Sequence, residues 1–179
     1  MALFTGKGDG GTTKAFDTAQ GVRISKASPL PEALGTLDEL NAFLGYVRTQ
    51  VEGDSRIAGI LRDTQEKLFI VQAEMAGSDK RLPEGTVKKV EDIVNGIETE
   101  ISPLKGFSVA GGTELSALLD VARTNARRAE RRATAVHEGG IRELSDETKA
   151  YLNRLSSLLF ALARLANHEA GVAEENPRY

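Results

Sequence analysis

The 179-residue chain has no cysteine and no tryptophan, only two histidines and five prolines, and its aromatic residues amount to 5%. Without cysteine there can be no disulfide, no zinc–thiolate site and no thiol nucleophile. His137 and His168 alone cannot build a histidine-rich metal centre. A core with so few rings must be mainly aliphatic. No apolar run approaches the roughly 20 residues that cross a bilayer, and the amino terminus lacks the apolar stretch of a secretory signal. An excess of positive charge is missing too: 23 basic residues face 26 acidic ones, for a net charge of −3. That balance argues against general nucleic-acid binding, which calls for a basic face. Together these absences lead to the expectation of a cytoplasmic protein engaging neither nucleic acid nor membrane, with enough residues for the core of a single domain spanning 1–179.

What is present is helical period. Leu34, Leu37, Leu40, Leu44, Val47 and Val51 step by three or four residues and end near Gly53. Ile57, Leu61, Thr64, Leu68, Val71 and Met75 make a second seam closed by Gly77, and Val87, Val90, Val94, Ile97 and Ile101 a third stopped by Pro103. Thr113 can cap a fourth helix running to about His137 before Gly139 and Gly140. Asp146 can cap a fifth, with Leu152, Leu155, Leu159, Leu162 and Ala166 as its stripe and Gly171 as its stop. Five long helices, short connections and little strand signal predict an all-α, up-and-down five-helix bundle over 32–171. The segment 1–31 is irregular and glycine-rich, and 172–179 forms a short tail. The architecture is ferritin-like, but di-metal chemistry of that kind needs Glu-x-x-His pairs, and neither histidine has a glutamate three residues before it.

The fourth helix carries the most pointed chemistry. At about 100° per residue, Arg123, Arg127 and Glu130 share a stripe with Arg131 at its edge, while Arg128 and Arg132 point well away. Ala122, Ala126, Ala129 and Ala133 lie beside the stripe and allow close helix packing. Guanidinium forks around one carboxylate suit phosphate or carboxylate ligands. A basic helical run is usually a solvated face, as Arg128 and Arg132 suggest, and for Arg123, Arg127 and Glu130 periodicity leaves both readings open. The amino-terminal run Thr5-Gly6-Lys7-Gly8-Asp9-Gly10-Gly11-Thr12-Thr13 could wrap phosphates with backbone N–H groups, hydroxyls and Lys7, with Lys26 as a second cation. It is not a Walker A loop, and alone it reads more readily as a mobile tail.

Several separated motifs, in order, make the chain resemble the PduO-type ATP:cob(I)alamin adenosyltransferases. Their Thr-x-x-Gly-Asp-x-Gly-x-Thr pattern is present as Thr5, Gly8, Asp9, Gly11 and Thr13. Their Glu-Ala-x-Gly-Thr-x-Asp-Glu-Leu-Asn signature runs from Glu32 to Asn41. Gly111-Gly112-Thr113 opens the arginine helix, Ala122 to Arg131 carries its Ala-Arg-x-x-x-Arg-Arg-Ala-Glu-Arg motif, and Tyr151 to Ser156 reads Tyr-Leu-Asn-Arg-Leu-Ser.

The resemblance implies transfer of the 5′-deoxyadenosyl group of ATP to cob(I)alamin cobalt with release of triphosphate, in a homotrimer whose sites lie between subunits. It implies ATP under the amino-terminal loop, held by Thr5, Gly6, Lys7, Gly8, Asp9, Gly11, Thr13 and Lys26. Arg127, Glu130, Arg131 and Asn153 would meet it from the other side, with Mg²⁺ held mainly by the phosphates and Glu130 near it. Asp38 would pair across the interface with Arg123, and Phe107 would line the corrin face where a lower axial ligand otherwise sits. A flavin-type reductase and an adenosylcobalamin-dependent enzyme are the implied partners. Two positions depart from the pattern: Gly6 replaces a basic residue, removing a phosphate contact, and Ala110 replaces a proline, which should loosen the Phe107 loop. The tail Ala173-Glu174-Glu175-Asn176 matches no part of the pattern. A non-catalytic ATP or corrinoid carrier and a nucleic-acid-binding helical protein are the rival readings, the second opposed by the acidic balance and by Glu130.

Overall fold

The computed structural model describes residues 4–17, 19, 22–51, 53, 55–104 and 106–179. Two two-residue strands, β1 (Thr12–Thr13) and β2 (Ile24–Ser25), pair antiparallel and are followed by helices α1 (Pro29–Thr49), α2 (Arg56–Met75), α3 (Thr86–Glu100), α4 (Glu114–Glu138) and α5 (Asp146–Glu169). The expected five-helix bundle is therefore what forms. Its neighbours run in the order α2, α1, α4, α5, α3.

Local chemistry sets the helix ends. α1 starts at Pro29, earlier than the apolar period suggested, because proline at the first helical position sacrifices an N–H that has no partner there anyway. The hydroxyls of Ser55 and Thr113 accept from the N–H groups of Ala58 at 3.2 Å and Ser116 at 3.1 Å. For α5 the cap is Ser145, whose hydroxyl accepts from Thr148 N–H at 3.3 Å, and Asp146 is the first helical residue. Asp146 therefore acts through its charge at the positive end of the helix rather than as the capping side chain. A buried carboxylate reinforces that end. Glu74, 1% exposed, accepts from Ser145 N–H at 2.6 Å and from the Thr148 hydroxyl at 2.7 Å, fastening the end of α2 to the start of α5.

α5 is the axis of the bundle. From Leu158 to Asn167 every residue except Phe160 is buried, far more than one stripe. A helix that is apolar on all sides needs neighbours on all sides, and α5 packs on α4 and α3 while Glu74 and Thr64 reach it from α2. Burial pushes the Tyr151 phenol far above its ordinary value, partly offset by a hydrogen bond with Thr64, so this residue of the Tyr151–Ser156 motif is an un-ionised core group. The four alanines beside the arginine stripe, Ala122, Ala126, Ala129 and Ala133, are all buried at 1% exposure or less. Their small size lets α4 lie close to α1 and α5 and holds its arginines at a fixed height above the groove. Among the described residues, no helix is long and apolar enough to cross a membrane.

Candidate active site

The antiparallel pair α4–α5 forms a groove. One face of α4 supplies Arg123, Arg127, Glu130, Arg131 and Thr134, and one face of α5 supplies Asn153, Ser156, Ser157 and Phe160. Each set follows the three-and-four spacing of a helix face. Two cavities share the groove. A polar one of about 350 Å³ is lined by Arg127, Glu130, Arg131, Thr134, Glu138 and Asn153, among others. A larger one of about 620 Å³, more apolar, includes Leu104, Phe107, Arg123, Arg127, Ser157 and Phe160. Arg127 belongs to both. It is exposed, as is Arg131, and neither has a hydrogen-bond or ion-pair partner among the described residues.

The other polar groups are already organised. Asn153 Nδ2 donates to Glu130 Oε1 at 2.9 Å, and Asn153 Oδ1 accepts from Arg154 at 2.8 Å. Arg154 is in turn paired with Glu91 of α3 at 2.9 Å. The orientation of Glu130 is thus fixed through a chain reaching the third helix. Arg123 donates through Nε to Asp120 Oδ1 at 2.8 Å, and its guanidinium lies 5.9 Å from the ring centre of Phe160. Asp120 and Phe160 were missed in the sequence, although Asp120 sits three residues before Arg123 and Phe160 lies seven after Asn153. Arg128 and Arg132 leave the groove as expected, but they are not merely solvated: they pair with Glu39 at 2.7 Å and Glu32 at 3.5 Å on α1.

The Glu32–Asn41 signature is mostly packing. Ala33, Thr36, Leu37, Leu40 and Asn41 are buried, Thr36 donates to Glu32 O at 2.8 Å, and the two glutamates hold α4. That leaves Asp38, exposed and without a partner among the described residues. Within one chain, then, Arg123 pairs with Asp120 and not with Asp38.

The glycine-rich segment forms consecutive turns, with Asp9 N–H on Gly6 O at 3.2 Å and Gly11 N–H on Gly8 O at 3.1 Å. Gly6 has φ +70°, a conformation that a larger residue adopts only with strain, so its departure from a basic residue has a backbone reason. Lys26 lies over the loop: a Cβ on Gly8 would be 3.0 Å from its Nζ. Lys26 N–H also donates to Gly11 O at 2.9 Å. Lys7 and Asp9 are carried on the same turns, Thr5 just precedes them, and Thr13 follows on β1. Neither cavity lined by Arg127 contains a described residue of the loop.

The hairpin is anchored by an ion pair the sequence did not reveal. Arg142, in the α4–α5 turn, grips Asp17 through Nη2–Oδ1 at 2.8 Å and Nη1–Oδ2 at 2.7 Å, while its Nε donates to Met75 O at 3.2 Å. The hydrogen bond from Arg142 holds the Asp17 carboxyl below its ordinary value. A depressed carboxylate stabilises above its unfolded pKa and loses that contribution as pH falls through its folded value. The hairpin should therefore stay clasped at neutral pH and loosen only below the ordinary carboxylate range. Asp17→Asn should loosen it at pH 7 and, if the loop holds ATP as the motif resemblance implies, raise KM for ATP about fivefold, the equivalent of a surface ion pair near 1 kcal/mol, with kcat less affected. Steady-state kinetics at saturating corrinoid check this; an unchanged KM would mean that the clasp does not position the loop.

The Phe107 loop joins α3 to α4. Phe107 is 78% exposed, with its ring facing the larger cavity. At the loop's end, Asn167 of α5 accepts from Thr113 N–H at 2.9 Å and donates to Gly111 O at 2.8 Å. Gly112 must be glycine: its φ is +104°, and a Cβ would fall 2.4 Å from Asn167 Oδ1. Ala110 therefore does not leave this turn unsupported.

The sequence profile of the cobalamin adenosyltransferase family matches residues 3–166. The chain belongs to the cobalamin adenosyltransferase family. It is 34% identical over 181 residues to the corrinoid adenosyltransferase of Bacillus subtilis strain 168, covering 97% of this chain and 91% of that protein. It is 39% identical over 183 residues to the corrinoid adenosyltransferase PduO of Citrobacter freundii, covering 95% of this chain and 51% of that longer protein. Among solved structures, a variant of the PduO-type ATP:corrinoid adenosyltransferase of Lactobacillus reuteri complexed with cobalamin and ATP superposes with a TM-score of 0.89 at 26% identity, covering 99% of this chain and 97% of that one. The resemblance read from the motifs thus holds across nearly the whole chain.

Proposed function

We propose that this cobalamin adenosyltransferase works as a homotrimer in which the glycine-rich loop of one subunit closes over the arginine groove of the next. The chain transfers the adenosyl group of ATP to cobalamin. The observation that carries the site assignment is the position of Arg127, shared by a polar cavity suited to polyphosphate and an apolar one suited to a flat corrin face. In that arrangement Thr5, Lys7, the Gly8–Gly11 amides, Thr13 and Lys26 hold ATP from above, and Arg127, Arg131 and Asn153 from below. Asp38, exposed and without a partner among the described residues, meets a neighbour's Arg123 at the seam.

The chemistry needs no general base in the groove. Cobalt(I) supplies the electron pair that forms the cobalt–carbon bond to C5′. The C5′–O bond breaks, and its pair leaves with triphosphate. No proton has to be taken from the nucleophile. The protein must align cobalt, carbon and leaving oxygen, and stabilise the charge growing on triphosphate. Permanently charged guanidinium groups and backbone N–H donors perform the second task. Magnesium fits as a companion of the phosphates: among the described residues no three metal-ligating side chains cluster, and Glu130 offers one oxygen with no partner there. Bound in that way it would neutralise polyphosphate charge.

Anaerobic mixing of the chain with ATP and chemically reduced cobalamin should yield a light-sensitive cobalt–carbon product and free triphosphate in equal amounts, neither forming without ATP. Nucleotide and corrinoid binding without product would instead identify a carrier.

A further inference from the structure

Phe107 reaches its cavity on a loop that supplies little packing of its own. With its ring 78% exposed, the position of the side chain is set by what holds its backbone. Among the described residues two bonds do so in the middle of the loop, and both come from the carboxyl-terminal segment. Asn176 Nδ2 donates to Phe107 O at 2.8 Å, and Val109 N–H donates to Glu175 O at 2.8 Å. The segment is moored to the core one residue earlier. Glu174 accepts from Arg164 through Nε–Oε1 at 2.6 Å and Nη2–Oε2 at 3.0 Å, and the same Nη2 donates to Ser102 O, at the loop's start, at 2.6 Å. The Arg164 side chain is only 7% exposed and projects from the most buried stretch of α5. A guanidinium this buried is retained only with its carboxylate and carbonyl partners in place. The tail that matched no motif is therefore tied to the bundle axis at one point and to Phe107 and Val109 beyond it.

We propose that residues 172–176 form a strap that sets the height of Phe107 over the corrin-facing cavity, with Arg164, Glu174 and Asn176 as positioning residues; the catalytic consequence rests on the adenosyltransferase reading above. Each of the two mid-loop hydrogen bonds is of a strength that changes the closed population of the loop about fivefold. The strap acts on the state of the corrinoid that Phe107 faces and not on the nucleotide, since none of its residues lines the polar cavity.

The test uses the full chain, Asn176→Ala, and a variant ending at Glu174, which keeps the Arg164 pair and removes both mid-loop bonds. Amide exchange at Val109 should accelerate about fivefold or more in the shortened variant. Starting from cob(II)alamin with a reductant, kcat should fall about fivefold in Asn176→Ala and further in the shortened variant, which loses both bonds. KM for ATP and the rate with pre-reduced cob(I)alamin should change little. Unchanged Val109 exchange and cob(II) kinetics in both variants overturn the proposal. So does an equal loss with both corrinoid states and a raised KM for ATP, the pattern of general destabilisation. If the full chain forms no product from cob(I)alamin, the functional reading fails, while the exchange arm still decides whether the strap holds the loop.

Discussion

Arg127→Ala is expected to lower kcat by about 10²–10³-fold, the loss seen when one preorganised donor to a developing anion is removed. The same change should leave the stability of the fold within about 0.5 kcal/mol, because Arg127 is exposed and bonds to nothing else among the described residues. That separation follows from the geometry. Arg123 and Arg128 are engaged by Asp120 and Glu39, so removing either strands a carboxylate. Arg127 has no such second duty, and in the proposed arrangement its position in both cavities would put its charge beside the breaking C5′–O bond. Lysine at this position should recover only part of the rate, since it offers a point charge in place of a planar fork. Rapid-quench measurement of triphosphate at saturating ATP and cob(I)alamin checks the effect. The same variant tests the shared site. If loop and groove belong to different subunits, co-assembling Arg127→Ala with a Lys7→Ala chain restores part of the activity that each lacks alone, because one interface then carries neither substitution. No recovery in verified mixed assemblies would place loop and groove in the same subunit.

The bundle was legible because helical period is a local property. Leu61 to Met75, or Leu152 to Ala166, announce their faces without knowledge of their partners. The arginine stripe was legible for the same reason: residues three and four apart must share a face whatever packs against it. The boundaries that shifted, at Pro29 and Ser145, lie where capping chemistry rather than apolar period decides. What escaped are contacts closed by the path of the chain. Asp17 and Arg142 are 125 residues apart, and no pattern in either neighbourhood names the other. Arg164 and Glu174 are only ten apart, yet a helix end and a turn intervene, so helical spacing cannot pair them. Phe107 sits in a loop with no period. Only the motif resemblance singled it out, and only the fold gives it a supporting strap.

Phe107→Ala should slow adenosylation from cob(II)alamin on the order of a hundredfold while pre-reduced cob(I)alamin loses much less. The asymmetry comes from where the ring acts. A water or base bound below cobalt(II) raises the orbital that must accept the electron, whereas cobalt(I) has no need of that ligand. A phenyl ring pressed on the corrin excludes the ligand by covering apolar surface. If about 100 Å² of the ring becomes buried in the complex, at about 25 cal/mol/Å² it contributes roughly 2.5 kcal/mol toward the ligand-free state, close to a hundredfold in its population. In the free chain the ring is mostly exposed, so alanine sacrifices little folding stability and the loss can be assigned to the complex. Histidine in the same place should do worse than alanine from cob(II), because its imidazole can itself become the lower ligand. The absorption spectrum of cob(II)alamin bound with ATP gives a readout independent of turnover, since loss of the lower ligand changes the cobalt(II) bands. A hundredfold loss from both corrinoid states, with wild-type spectra, would show that the ring orients the substrate rather than keeping water from the metal.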